Sequence, residues 1–384
     1  DLEDLEDLEK QVVSSDAYRQ IIAASSRDRR DLFLATAQRL GTPLGNIEKD
    51  FWVCWTLGEL YHDLPPGAPR LLFKGGTSLS KAYNLIQRFS EDIDITVFRD
   101  DLDQPVSVNE LEAFSGKKRR AKLDAIRDAC RAYITGPLRK TLTDRVANLT
   151  YGDSDTEGHN RDYHKGQNGV RVEVDPADSD GQTLLIWYPT VEPTVDGMAG
   201  AYIRPVIRIE SGAKSAIDPH RLTSIRPYIT EEVPNLDLIV AGVTTIEPAR
   251  TFWDKIVIAH WLRRWYERRG TLRQEGQRIS RHYYDLHCLL YSEAGRSAVK
   301  DRALGTDCVR NARLFFDRPD YDLASARRGS FALRPVAGMI DALRRDYDQM
   351  SAMIFGIAPA FVDIMDSMRN LEATINGRRD TDVR

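Results

Sequence analysis

Two aspartates, Asp92 and Asp94, stand one residue apart in the run RFSEDIDITV, and fifteen residues separate them from the pair Gly75-Gly76 in LLFKGGTSLS. On a strand, acids at that spacing share a face, because side chains alternate with a period of two. Alternating them with buried isoleucines is costly unless the acid face meets cations. Two carboxylates a few ångströms apart can hold one or two divalent ions. Magnesium suits them, since it takes few carboxylates and fills its remaining positions with phosphate oxygens and water. The glycines let backbone N–H groups approach a triphosphate closely, best at the start of a helix whose positive end faces the anion. Thr77, Ser78 and Ser80 are candidate hydroxyl donors, and Lys74, Lys81, Arg88 and Ser90 are candidates to surround the phosphates. Taken together, these residues point to a metal-assisted in-line displacement on a nucleoside triphosphate. Each half alone is weak, because glycine turns are commonly structural and many aspartate-rich strands are merely solvated.

The elements that must position these residues follow from periodicity. Residues from about 16 to 62 read helical, through Phe33, Leu34, Ala37 and Leu40 and then Phe51, Val53, Trp55 and Leu57. A Pro/Gly loop at 61–70 leads to a short buried strand from Leu71 to Phe73, the glycine turn, and a helix expected from Ser78 to Gln87. The alternation of Ile93, Ile95 and Val97 then marks a second strand. Residues 110–147 read as charged helix and 150–170 as polar loop. Strand-like runs follow at 170–174, 183–189 and 202–210. Pro248 suits a first helical turn, and the pattern stays helical from there to a frayed tail, NGRRDTDVR. The expected architecture is an α/β (α+β) domain with a mixed sheet over 16–240, followed by a mostly helical domain over 241–384. The boundary is soft, near 235–247. Residues 1–15, with their DLE repeat, are a flexible or appended extension.

Composition narrows the class. The chain has 384 residues, 42% hydrophobic and 29% charged, enough for more than one core. No apolar run approaches the ~20 residues of a membrane span, and the acidic start is unlike a secretory signal. Cys54, Cys130, Cys288 and Cys308 are widely spaced, which suggests neither zinc nor disulfides and points to a reduced cytoplasmic setting. The seven histidines show no metal-ligand spacing. Net charge is −4, so the chain is no bulk polycation. Even so, Arg263, Arg264, Arg268, Arg269, Arg273, Arg278 and Arg281 crowd one segment and could meet an RNA backbone.

The runs EKDFWV (48–53) and FKGGTSLSKAYNLIQRFSEDIDI (73–95) resemble the AbiEii/AbiGii-type toxin family. These are nucleotidyltransferases of the DNA polymerase β-like superfamily, MenT-like toxins of type IV toxin–antitoxin and phage abortive-infection systems. The resemblance covers roughly residues 45–295. It implies a polymerase β-like nucleotidyltransferase core in which Gly75, Gly76, Asp92 and Asp94 form the first motif, with Asp92 and Asp94 as metal ligands. It also implies a helical lysine downstream, supplied by TFWDKIVIAH as Lys255, and an aspartate in an R-x-x-x-D context, supplied by RHYYDLHCL as Asp285. Lys255 would contact the triphosphate, and Asp285 would orient it or accept from the substrate hydroxyl. The plain alternatives are a snorkelling lysine and an Arg281–Asp285 ion pair.

The superfamily usually adds a third carboxylate from a neighbouring strand. Glu210, at the end of YIRPVIRIE, is the candidate third ligand or general base, with Glu173 and Asp175 as rivals. The nucleotide-binding set is Gly75, Gly76, Thr77, Ser78, Lys81 and Arg88. Lys49 and Asp50 more naturally brace the fold. The implied reaction is magnesium-dependent nucleotidyl transfer (one or two ions, manganese an alternative) from an NTP to the 3′ end of tRNA. A cognate antitoxin is the implied partner. The competing readings are transfer to a protein hydroxyl, a catalytically inactive RNA- or partner-binding module, and a DxD glycosyltransferase, which the upstream glycine turn disfavours.

Overall fold

The computed structural model describes residues 16–152, 170–191, 204–273, 278–351 and 353–377. The DLE extension, most of the polar loop expected at 150–170, the start of the strand expected at 202 and the tail beyond 377 lie outside the described residues. The first helical stretch is divided. Helix α1 (Ser26–Leu40), capped by the Ser25 hydroxyl, stops where Gly41 turns left-handed (φ 63°). Helix α2 (Leu44–Tyr61) then starts after Pro43. Nearly every residue of α2 is buried, so it forms the spine of the N-terminal half.

Strand β1 (Leu71–Lys74) leads directly into α3 (Gly75–Lys81) and on to β2 (Asp92–Val97). The helix is shorter and begins earlier than its apolar spacing predicts: Lys81 ends it and Asn84 takes φ 50°. The intended continuation is held elsewhere. The Phe89 N–H donates to the Met353 carbonyl and the Phe355 N–H to the Gln87 carbonyl, so residues 87–89 run beside 353–355 rather than helically. Helices α4 (Val108–Ala113), α5 (Gly116–Tyr133) and α6 (Arg139–Ala147) cover the sheet, and a π-helical turn at Pro137 joins the last two.

Strands β3 (Arg171–Val174), β4 (Thr183–Trp187), β5 (Val206–Gly212), β6 (His220–Ile225) and β7 (Val240–Ile246) complete a seven-stranded sheet of order β3-β4-β5-β2-β1-β7-β6. The pairs β2/β5 and β1/β7 are parallel and the others antiparallel, giving the expected mixed sheet. The last two strands carry no clear signal: β6 is mostly exposed and β7 holds Gly242 at φ 65°. Because β7 lies against β1, the sheet runs on to residue 246.

Pro248 then opens α7 (Pro248–Arg269), followed by α8 (Ser280–Tyr291), α9 (Glu293–Ala298), α10 (Arg302–Phe315), α11 (Ala337–Ser351) and α12 (Phe361–Asn376). Two large apolar clusters result among the described residues, beside a small one of Leu72, Phe98 and Ile246. One joins α2 to the sheet, and the other joins the C-terminal helices and takes Leu79 and Ile86 from the segment around α3. The glycine turn and its helix therefore sit at the junction of the two cores.

Candidate active site

Register places the acids. Along β2, Ile93 and Ile95 are buried while Asp92 and Asp94 are half-buried on the opposite face. Asp94 lies opposite Lys74 of β1 and Glu210 of β5, and Asp92 lies opposite Arg208. Neither the Asp92 nor the Asp94 carboxylate has a hydrogen bond or ion pair among the described residues. Burial raises the Asp92 pKa, and Glu91 and Asp94 raise it further. Such a face is costly as it stands and gains from a cation.

The glycines are explained by what approaches them. Gly75 has φ +81°, and a Cβ there would lie 2.0 Å from an Asp94 carboxylate oxygen. A Cβ on Gly76 would lie 2.3 Å from an Arg88 guanidinium nitrogen. The pair thus lets an acid and a cation close on the same turn. The hydroxyls hold that turn together. Thr77 Oγ1 lies 2.8 Å from Ser90 Oγ and also donates to the Asp92 carbonyl, while Ser78 donates to the Gly75 carbonyl. In this arrangement Thr77 and Ser78 shape the turn and do not present their protons outward.

Behind the turn lies a buried ionic cluster. Arg88 clasps Asp285 with two bonds of 2.8 and 2.9 Å, and Lys255 Nζ lies 2.7 Å from the same carboxylate. Burial alone would raise the Asp285 pKa, but Arg88 and then Lys255 outweigh it and hold the carboxyl well below its usual range. One anion between two cations leaves an excess positive charge facing the acids. No Arg281–Asp285 ion pair forms. The Arg281 guanidinium has no hydrogen bond or ion pair among the described residues, yet lines the same small cleft as Arg88, Ser90 and Asp92. It is the functional candidate that sequence reasoning noted in passing and left out of the site. Lys49 and Arg278 both pair with Glu91, tying α2 and the start of α8 to the residue preceding Asp92.

Two of the residues expected to contact phosphate are paired within the fold. Lys81 points into the N-terminal core, 2.6 Å from Asp50 and 3.7 Å from the centre of the Tyr228 ring. Arg88 reaches the turn but is committed to Asp285. Lys74 donates to Ser215 at 3.0 Å. Lys81→Met should therefore lower stability by about 3–5 kcal/mol, by stranding the buried Asp50 carboxylate. The KM for NTP should stay within a few-fold, read by denaturant titration alongside steady-state kinetics.

Glu210 is the acid beside Asp94. Its rivals are engaged elsewhere: Glu173 accepts from Arg171 and the Trp187 indole, and Asp175 accepts from Arg208 and the Ala177 N–H. Arg208 also reaches Glu210 at 2.8 Å. Burial, then Asp94 and Asp92, push the Glu210 carboxyl from 4.5 up to about 7. Its sign is destabilising on the alkaline side: between these values the folded chain keeps a proton that the unfolded chain has lost, so stability falls as pH rises. The side chain is 37% exposed, so solvent screens much of this effect. In chelator, Glu210→Gln should remove about 1 kcal/mol of this fall between pH 4.5 and 7, measured by melting across the window.

Asp92 and Asp94 are the carboxylates that could hold a divalent ion. Among the described residues no three His, Cys, Asp or Glu side chains converge on a common ion position, and Glu210 pairs with Arg208. The donor set fits an ion held by two carboxylates and completed by phosphate oxygens. No helix among the described residues is long and apolar enough to cross a membrane.

Comparison with known proteins gives no match among curated sequences. Among solved structures, MenT4, a nucleotidyltransferase toxin from Mycobacterium tuberculosis H37Rv, is similar at 15% identity and a TM-score of 0.39. That likeness covers 91% of this chain and 99% of MenT4. The family model described as nucleotidyl transferase AbiEii toxin, type IV toxin–antitoxin system, matches residues 60–367, which includes the whole glycine turn, the acid strand, Lys255 and Asp285. It also runs through the helical region beyond 295 as far as residue 367, which the sequence motifs leave unexplained. The chain belongs to the AbiEii family of nucleotidyl transferase toxins of type IV toxin–antitoxin systems.

Proposed function

We propose that the chain transfers a nucleotide from an NTP to the 3′ end of tRNA in a magnesium-dependent reaction at the Asp92–Asp94 face. The observation that carries this reading is the pair of carboxylates without a protein partner, set against a turn of two glycines and a buried cluster with one cation in excess. Asp92 and Asp94 would hold a divalent ion, which would supply Lewis-acid stabilisation of the attacking and leaving oxygens.

The chain's own residues do the rest. The Gly75-Gly76 turn admits the triphosphate. Arg281 is free to meet the departing pyrophosphate, and Asp285 fixes Lys255 and Arg88 behind it. Glu210, with a carboxyl near neutrality, is suited to accept the proton of the acceptor hydroxyl. The acceptor oxygen bonds to the α-phosphorus, the α–β bridge breaks, and pyrophosphate leaves. A cognate antitoxin and a cytoplasmic setting belong to the same proposal, as properties expected of a type IV toxin.

Incubating the protein with each α-labelled NTP, magnesium and total bacterial RNA tests the acceptor. Label in tRNA-sized bands is the expected result. Label in protein bands would move the acceptor to a protein hydroxyl. No transfer with magnesium or manganese would overturn the enzyme reading in favour of an RNA- or partner-binding module.

A further inference from the structure

The arginine-rich segment 263–281 is largely neutralised within the fold. Arg263 and Arg264 pair with Glu267, Arg268 with Asp322, Arg269 with Asp320 and Arg278 with Glu91. Arg273 lies 5.2–5.6 Å from the ring centres of Tyr321, Trp265 and Trp261. Arginines without an ion pair gather elsewhere. A cavity of about 770 Å3 opens between the α4–α5 segment and the C-terminal helices, lined by six arginines against two acids, Glu112 and Asp317. Three of the arginines are engaged: Arg119 caps carbonyls at the end of α4, Arg302 caps those at the end of α12, and Arg310 clasps Glu112. The guanidinium groups of the other three, Arg313, Arg327 and Arg328, make no hydrogen bond or ion pair among the described residues, though Arg313 lies within electrostatic reach of Glu112 and Asp317.

Three exposed guanidinium groups line one concave surface where arginines outnumber acids six to two, and a multivalent anion suits that excess of positive charge. Guanidinium forks match phosphate oxygens two at a time, and a cavity of this volume accommodates a ligand of nucleotide size. Trp253 lies in its wall, and Lys255 follows two residues later, about 200° around the helix. The cavity is therefore on the far side of α7 from the acid pair.

We propose that this cavity is a second phosphate site, distinct from the catalytic turn. It takes either the polyphosphate of a free nucleotide or successive backbone phosphates of an RNA. Because Glu112 and Arg119 come from the N-terminal half and the remaining walls from the helical half, an occupant would also tie the two together. The proposal holds whichever hydroxyl accepts the nucleotide.

Calorimetric titration with inorganic tripolyphosphate in EDTA isolates this site, because phosphate binding at the aspartates needs a metal ion. The expected result is one tripolyphosphate per chain, bound more weakly as salt rises and raising the melting temperature. The triple variant Arg313→Ala/Arg327→Ala/Arg328→Ala should bind at least tenfold more weakly, and Asp94→Asn should bind as the wild type does. Arg327→Ala alone, with a smaller loss, guards against a folding defect in the triple variant. Displacement by a short single-stranded RNA supports a chain phosphate as the natural occupant, and displacement by ATP alone supports a free nucleotide. Binding unchanged in the triple variant, no binding in EDTA, or equal affinity for an oligoglutamate peptide would overturn the proposal. Label transfer from α-labelled NTP in the same preparation reports on the catalytic reading separately.

Discussion

Asp94→Asn should reduce nucleotide transfer by about a thousandfold or more and leave the fold intact. The carboxylate has no protein partner to lose, and its removal takes one negative charge from a face where Asp92 and Glu210 are already pushed upward. Melting in chelator should therefore hold steady or rise slightly, while kcat collapses. The NTP dissociation constant should weaken most in the presence of magnesium and little in its absence. Retention of activity to within tenfold of wild type would remove Asp94 from the chemistry. Asp92→Asn should follow the same pattern. Gly75→Ala should lose activity by a different route, because a Cβ there occupies the position of the Asp94 carboxylate.

The second large effect concerns Asp285. Replacing it by alanine strands Arg88 and Lys255, which are both buried and both depend on the same carboxylate. The expected loss is about 3–5 kcal/mol of stability, read from denaturant titration. Transfer activity should fall as well, because Arg88 stands against Gly76. Asp285→Asn keeps the shape but not the charge, and should recover part of the packing and little of the ionic stabilisation. The pH dependence has a definite sign. The folded-state pKa is depressed, so the contribution is present above the ordinary aspartate value of about 4 and is lost as pH falls below it toward the folded value. An Asp285→Ala protein as stable as wild type would show that the two cations reach water by themselves.

How much of this site was legible in the sequence depended on the range of the interaction. Asp92, Asp94 and the glycines are recognisable because their spacing is local: period two for the acids, and two successive residues without Cβ for the turn. Glu210 was reachable by extending the same alternation to another strand, and the register places it opposite Asp94. Lys255 and Asp285 came through family resemblance, and no local pattern shows that they meet.

What the sequence does not show also has local causes. Lys81 ends a helix beside the glycine turn, so proximity suggested phosphate, whereas its partner Asp50 comes from α2. Nothing near Arg88 in sequence reveals its partner carboxylate, Asp285, 197 residues away. The helix expected to reach Gln87 ends at Lys81 because residues 87–89 pair with 353–355, a contact without sequence signal. Likewise, counting arginines singled out 263–281, but charge density in sequence ignores the acids that folding brings to it. The mixed sheet and helical C-terminal half were readable, whereas β6 and β7 were not, since one is a polar edge and the other is interrupted by glycine.

The most direct test of the account is to supply one NTP labelled at the α-phosphate and, in parallel, the same NTP labelled at the γ-phosphate, with magnesium and RNA, for wild type and Asp94→Asn. The account predicts α-label in the acceptor and γ-label in free pyrophosphate, both dependent on Asp94. Appearance of γ-label in the acceptor, or release of γ-label as orthophosphate without α-transfer, would contradict nucleotidyl transfer at this site.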